Sequence, residues 1–206
     1  MRTRVKICGL TRERDVQAAV VLGADAIGLV FYPPSPRHVE VEQAQAIMRE
    51  LPAFVTTVAL FVNADASTVA EVVDATGVDL LQFHGDETPE FCAAQRRPWL
   101  RAVRMRADID LEDEAERYAD ARGLLLDAYQ PGVPGGTGET FEWSRVPESL
   151  GGRVIVAGGL TPSNVGDAIR ALRPVAVDVS GGVEADKGIK DPVKIKTFID
   201  EVRRAE

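Results

Sequence analysis

Short β-branched runs alternate with amphipathic segments along the whole of this 206-residue chain. RVKIC, AIGLVF, TTVALFV, DLLQFH, LRAVRM, GLLLD, RVIVAG and VAVDVS read as strands. Helical pattern follows each of them: TRERDVQAAVVLG, VEQAQAIMREL, ASTVAEVVDAT, TPEFCAAQ, DLEDEAERYAD, a short piece near FEWSRV, TPSNVGDAIRALR and DPVKIKTFIDEVRR. A helix between consecutive strands carries the chain back to the same end of the sheet, so the strands run parallel. Eight such units predict an α/β fold closed into a (β/α)8 (TIM) barrel, with residues 1–206 forming a single domain. An open doubly wound sheet shares the rhythm. However, no G-x-G-x-x-G follows the first strand, and there is no Walker sequence. Thr11, Ser67, Thr88 and Thr161 are expected at helix starts, and Gly23 and Gly77 just past helix ends.

Composition narrows the classes of function. Apolar residues at 45% and charged residues at 27% suit a globular domain. No apolar run approaches the roughly 18 residues of a membrane span. The opening MRTRVKICGLTRERD lacks the apolar stretch of a secretory signal. Two cysteines, Cys8 and Cys92, are too few for a disulfide framework, so a reducing, cytoplasmic setting is expected. A net charge of −8 argues against a nucleic-acid partner. An anionic ligand must therefore be drawn in locally, by a few placed residues and helix N-termini. The expected assembly is a monomer or homodimer.

In a barrel of this kind chemistry sits at the C-terminal ends of the strands. The first strand ends on Cys8 and Gly9, placing either a small buried hydrophobe or a reactive thiol at the mouth. The second leads through FYPPSPRHV to Arg37 and His38. Arg37 is either a solvated surface cation or a bidentate partner for a carboxylate or phosphate. The fourth ends in Gln82, Phe83, His84 and Gly85. Asp127 closes the apolar run GLLLD, as a general acid, a helix cap or a partner to a basic neighbour. Gly158 and Gly159 follow the seventh strand, and Ser180, Gly181 and Gly182 the eighth. In barrels the loops after these two strands frequently bind phosphate through bare backbone N–H groups and the N-terminus of the following helix; tight turns are the alternative. With only His38 and His84 available, a metal site is not expected. His84 is expected to hydrogen-bond near the mouth, and Cys92 to pack on a helix. The stretch YQPGVPGGTGET, residues 129–140, reads as a mobile loop at the working face.

KICGLT, SPRHV, QFHG, LLLD, GGTG, AGGL and DVSGGVE fall in this order at the ends of successive strands. Together they resemble the phosphoribosylanthranilate isomerases, barrel enzymes of tryptophan biosynthesis, over essentially the whole chain. The resemblance implies an Amadori rearrangement without cofactor or metal: an N-phosphoribosyl aminoaldose becomes a 1-deoxyribulose phosphate. It further implies that Cys8 is the general base and Asp127 the general acid. Arg37 would hold the anthranilate carboxylate, and Gly158, Gly159, Ser180, Gly181 and Gly182 the phosphate. One departure is Gly181, where the family more often carries a second serine; a backbone amide survives the change and a hydroxyl contact does not. The histidine-pathway aminoimidazole ribotide isomerase runs the same rearrangement but uses aspartate where this chain has Cys8. A non-catalytic sugar-phosphate-binding barrel would keep the glycine loops but has no reason to keep Cys8 and Asp127.

Strand parity makes one internal expectation. Lys6 shares the face of Cys8, and Asp178 shares that of Ser180. If the barrel closes, the first and eighth strands are neighbours, and a lysine pointed into the interior needs a carboxylate partner. Lys6 should therefore pair with Asp178, and its charge should favour the Cys8 thiolate.

Overall fold

The structure is a computed structural model that describes residues 2–128 and 140–206. The proposed loop at 129–140 thus lies outside the described residues, Thr140 apart. The strands are β1 (Arg4–Cys8), β2 (Ala26–Val30), β3 (Thr56–Phe61), β4 (Leu80–Phe83), β5 (Trp99–Arg104), β6 (Leu124–Asp127), β7 (Val154–Val156) and β8 (Ala176–Val179). They form a closed parallel barrel in sequence order, with β8 pairing back onto β1. Around it lie α1 (Glu13–Leu22), α2 (Val41–Arg49), α3 (Ala66–Thr76), α4 (Pro89–Ala94), α5 (Leu111–Arg117), α6 (Val165–Leu172) and α7 (Pro192–Ala205). After β6 the described residues hold only 3-10 turns, Trp143–Arg145 and Glu148–Arg153, where the sequence had suggested a short piece. A hairpin of β9 (Glu184–Asp186) and β10 (Ile189–Lys190) interrupts the run from β8 into α7.

Helix boundaries follow local chemistry. The Thr88 side chain caps α4 by accepting from the Phe91 N–H at 3.3 Å, as expected. The other three expected starts shift. Arg12 occupies the cap of α1 without a side-chain bond. Asp65 rather than Ser67 caps α3, accepting from Thr68 N–H at 2.7 Å. Asn164 rather than Thr161 precedes α6, because residues Thr161 to Asn164 first close a turn. Gly23 and Gly77 end α1 and α3 in the left-handed conformation that residues with a Cβ rarely adopt.

Both glycines open the same re-entry device: glycine, a buried apolar residue, then aspartate. After Gly23 and the buried Ala24, Asp25 accepts from Val5 N–H at 2.8 Å. After Gly77 and the buried Val78, Asp79 accepts from the Thr57 N–H and hydroxyl, each at 2.8 Å. Each aspartate ties the start of one strand to the approach to the next.

Two apolar layers fill the molecule. A large cluster lies between strands and helices; it includes Val103 of β5 and Phe198 of α7, and in it Trp99 of β5 packs edge-on against Tyr118. Residues of the opposite parity form a smaller cluster inside the barrel: Leu100, Ala102, Leu125, Ile155 and Ala157. On the β1–β8 side that interior is polar instead. Lys6 pairs with Asp178 at 2.9 Å across the seam, with both side chains buried, as strand parity predicts.

Asp79→Ala would leave the Thr57 N–H without its acceptor on the rim opposite the strand C-termini. We expect a loss of about 1–2 kcal/mol in urea denaturation, with turnover per folded molecule unchanged.

Candidate active site at the mouth of the barrel

Cys8 ends β1 at the mouth and is buried, directly across the β1–β2 ladder from Gly28. A methyl group on Gly28 would lie 2.7 Å from the Cys8 sulfur and 3.1 Å from Lys6 Cε, so this bare position makes room for both side chains. Burial pushes the Cys8 thiol above its ordinary value; the charges of Lys6 and Lys190 pull it down, and that of Asp178 works against them. Lys6 itself stays protonated: burial disfavours its charge, but Asp178 and Cys8 outweigh that cost.

Asp127 ends β6, which is not adjacent to β1, so the acid and the thiol approach the mouth from different sides of the barrel. Its Oδ2 sits 3.1 Å from His84 Nε2, and Gln82 Nε2 lies 3.3 Å from His84 Nδ1. The Gln82 amide donates to Nδ1, which leaves Nε2–H to donate to Asp127. Arg104 donates to the His84 carbonyl at 2.8 Å and anchors that backbone. His84 therefore does hydrogen-bond at the mouth, and its partner is the candidate acid. Gly158 stands against the same acid with φ +71°; a Cβ there would lie 2.2 Å from Ala128 N and 2.9 Å from Asp127 Oδ1.

Arg37 is half-buried, and its Nε and Nη2 donate to the two oxygens of Glu184, each at 2.7 Å. Glu184 also accepts from the buried Lys190 ammonium at 2.8 Å, and Lys190 reaches the Ser180 carbonyl at 3.1 Å and hydroxyl at 3.3 Å. This cluster joins the loop after β2 to the loop after β8. Burial alone would raise the Glu184 carboxyl, but the Arg37 hydrogen bonds and the Lys190 charge hold it below its ordinary value. Nε and Nη2 are thus engaged, while Nη1 has no hydrogen-bond partner among the described residues.

The glycine loops pack against each other. A Cβ on Gly182 would lie 1.9 Å from the Leu160 carbonyl oxygen, so the loop after β8 touches the loop after β7 backbone to backbone. Asn164 braces the latter, donating to the Gly159 carbonyl at 2.9 Å and accepting from Thr161 N–H at 2.8 Å. Gly181 begins a 3-10 turn, Gly181–Val183, and a Cβ there would meet Arg37 Nη2 at an ordinary 3.5 Å. A side chain is sterically allowed at 181, so no clash imposes the departure from serine.

The remaining candidates lie apart from this chemistry. His38 bonds Glu40 at 3.0 Å. Cys92 is buried in α4 as packing, its thiol pushed up to about 12 by burial. Among the described residues no group of three His, Cys, Asp or Glu side chains converges as metal ligands do. No described helix is long and apolar enough to cross a membrane. Gly28, Lys190 and Asn164 carry no motif of their own, and Glu184, although it ends DVSGGVE, gets no role from that motif; only their contacts reveal them.

Residues 5–201 match the family described as N-(5'-phosphoribosyl)anthranilate (PRA) isomerase. The chain belongs to that family. A Pseudomonas putida N-(5'-phosphoribosyl)anthranilate isomerase is 59% identical over 202 residues, covering 98% of each chain. The crystal structure of the Thermotoga maritima phosphoribosyl anthranilate isomerase superposes with a TM-score of 0.90 at 40% identity, over 98% of this chain and 99% of that one. Another phosphoribosyl anthranilate isomerase, in complex with reduced 1-(o-carboxyphenylamino)-1-deoxyribulose 5-phosphate, superposes with a TM-score of 0.87 at 38% identity and the same coverage. Membership makes the protein an isomerase of tryptophan biosynthesis built on a (β/α)8 barrel.

Gly158→Ala combines a strained positive φ with a steric clash beside Asp127. It should cost more than about 1 kcal/mol of stability and lower kcat, measured on the fraction that remains folded. A second expectation concerns acid. Because the folded Glu184 carboxyl lies below its ordinary 4.5, its contribution is present above that pH and disappears as pH falls through the lower folded value. Glu184→Gln should flatten the urea-stability curve between about pH 5 and 3 relative to the unmodified protein.

Proposed function

We propose that the isomerase reaction in this chain is carried by Cys8 as general base and Asp127 as general acid. In this reading Arg37 holds the anthranilate carboxylate, and the phosphate lies against Gly158, Gly159, Ser180, Gly181 and Gly182. The observation that supports it most is the placement of a buried thiol and a buried acid on non-adjacent strands of one mouth, beside two glycine loops in backbone contact.

The chemistry follows from those positions. Asp127 donates a proton to the ribose ring oxygen as the C1′–O bond breaks. The anthranilate nitrogen lone pair forms the C1′=N bond, giving an open-chain iminium. The Cys8 thiolate then takes the proton from C2′, and the released pair forms C1′=C2′ while the C=N electrons return to nitrogen. The resulting enolamine gains a proton at C1′ and loses one from the C2′ hydroxyl, leaving the ketone. Burial opposes ionisation of Cys8, so the cations beside it and the iminium formed in the first step both favour the base form. His84, fixed by Gln82, orients the Asp127 carboxyl. Arg37 acts as a carboxylate anchor through its Nη1 edge because Glu184 immobilises the rest of the guanidinium. Backbone N–H groups suit a phosphate here, since the nearby Lys190 ammonium is already committed to Glu184 and Ser180. The same reading treats residues 1–206 as one domain acting in the cytoplasm as a monomer or homodimer.

Turnover of N-(5'-phosphoribosyl)anthranilate by the purified protein tests these roles. Cys8→Ser and Asp127→Asn should each lower kcat by about 10²–10⁴-fold. Product affinity should change little, because the anchors for carboxylate and phosphate are untouched. A Cys8→Ala protein with near-normal turnover would overturn the assignment.

A further inference from the structure

A charged pair inside the barrel is an expensive way to fill space. The facing part of the same interior is packed with Leu100, Ala102, Leu125, Ile155 and Ala157, so apolar filling is available to this fold. Replacing a buried ion pair by apolar residues of similar size is often neutral or stabilising. Packing alone does not account for Lys6 and Asp178.

Geometry supplies another reason. The missing side chain of Gly28 leaves a space that Lys6 Cε and the Cys8 sulfur share, 3.1 Å and 2.7 Å from where its Cβ would be. The sulfur and the end of the lysine chain are thus no more than about 6 Å apart, within the range where one charge governs the ionisation of another. Asp178, directly opposite Lys6 in the β1–β8 register, grips the ammonium at 2.9 Å. We infer that Lys6 is the counter-cation of the Cys8 thiolate and that the Asp178 carboxylate, bonded to the same ammonium, partly offsets that cation at the sulfur. Two other charges bear on the sulfur, Lys190 from β10 and Arg37 from the loop after β2, and both are tied to Glu184. Lys6 is therefore the cation at Cys8 that has no tie to Glu184. The inference extends the proposed role of Cys8 but is tested on the thiol itself, so it stands or falls separately from the isomerase roles.

The ultraviolet absorbance of the thiolate, taken as the difference between each protein and its Cys8→Ser counterpart, follows Cys8 across pH and cancels Cys92 and the tyrosines. Lys6→Met should move the midpoint up by at least about one unit, so that the thiolate fraction below the midpoint falls about tenfold. Asp178→Asn should move it down, because a negative charge near the sulfur is gone. The double variant Lys6→Met/Asp178→Asn replaces the pair by neutral groups, leaves no lone buried charge, and should titrate between the unmodified protein and Lys6→Met. A pair that merely braces the barrel would shift both single variants in the same direction or neither. Should Lys6→Met fail to fold, the double variant and Asp178→Asn still decide. A double variant titrating at the unmodified midpoint, or an upward shift in Asp178→Asn, would overturn the inference.

Discussion

Closure of β8 against β1 is the constraint on which everything else in this molecule depends. A parallel sheet of eight short strands has two exposed edges until the last strand meets the first, and the closed ladder removes both. The seam also sets what the interior contains. It brings Lys6 level with Asp178, residues 172 positions apart, and turns two isolated buried charges into one pair. It carries the loop after β8 to the loop after β2, so that Glu184 can clasp Arg37. An open sheet with the same strands would keep the individual side chains and lose these relations.

At the mouth, selectivity is built as much by missing side chains as by present ones. Gly28 clears the space under Cys8, Gly158 lets the chain turn tightly against Asp127, and Gly182 allows two loops to touch through their backbones. The polar side chains around them are held in turn. Gln82 orients His84, which orients Asp127; Lys190 and Glu184 immobilise Arg37; Asn164 braces the loop after β7. Such prior fixing suits a reaction in which proton donor and proton acceptor must address different atoms of one sugar. The charged groups are also economical. In an acidic chain the cations nearest Cys8 are each matched to a carboxylate, so local charge is arranged without an open basic patch.

Much of this was legible in the sequence. Short β-branched apolar runs separated by helical pattern placed all eight strands, and strand parity was enough to pair Lys6 with Asp178. Cys8 and Asp127 stood out because each closes an apolar run at the end that carries chemistry in such barrels. Helix starts were less legible. Thr11, Ser67 and Thr161 all resemble caps, yet Arg12, Asp65 and Asn164 occupy those positions. Several hydroxyl, acid and amide side chains compete within three or four residues there, and the winner depends on how the preceding strand delivers the backbone. Nor does a helix follow the glycines after β7 and β8 directly: a turn precedes α6, and a 3-10 turn with a hairpin precedes α7.

Periodicity, residue type and motif order are local properties, and they determined the barrel and the family and singled out Cys8 and Asp127 as candidates. The tertiary structure alone decided what those groups touch. Glu184 lies 147 positions from Arg37, and Gly28 is meaningful only because the ladder sets it opposite Cys8. Neither relation leaves a periodic trace in the chain, since each arises from two segments brought together by closure. The charge felt at Cys8 belongs to the same category. It depends on distances to Lys6, Asp178, Lys190 and Arg37, and those distances exist only once the barrel has closed around them.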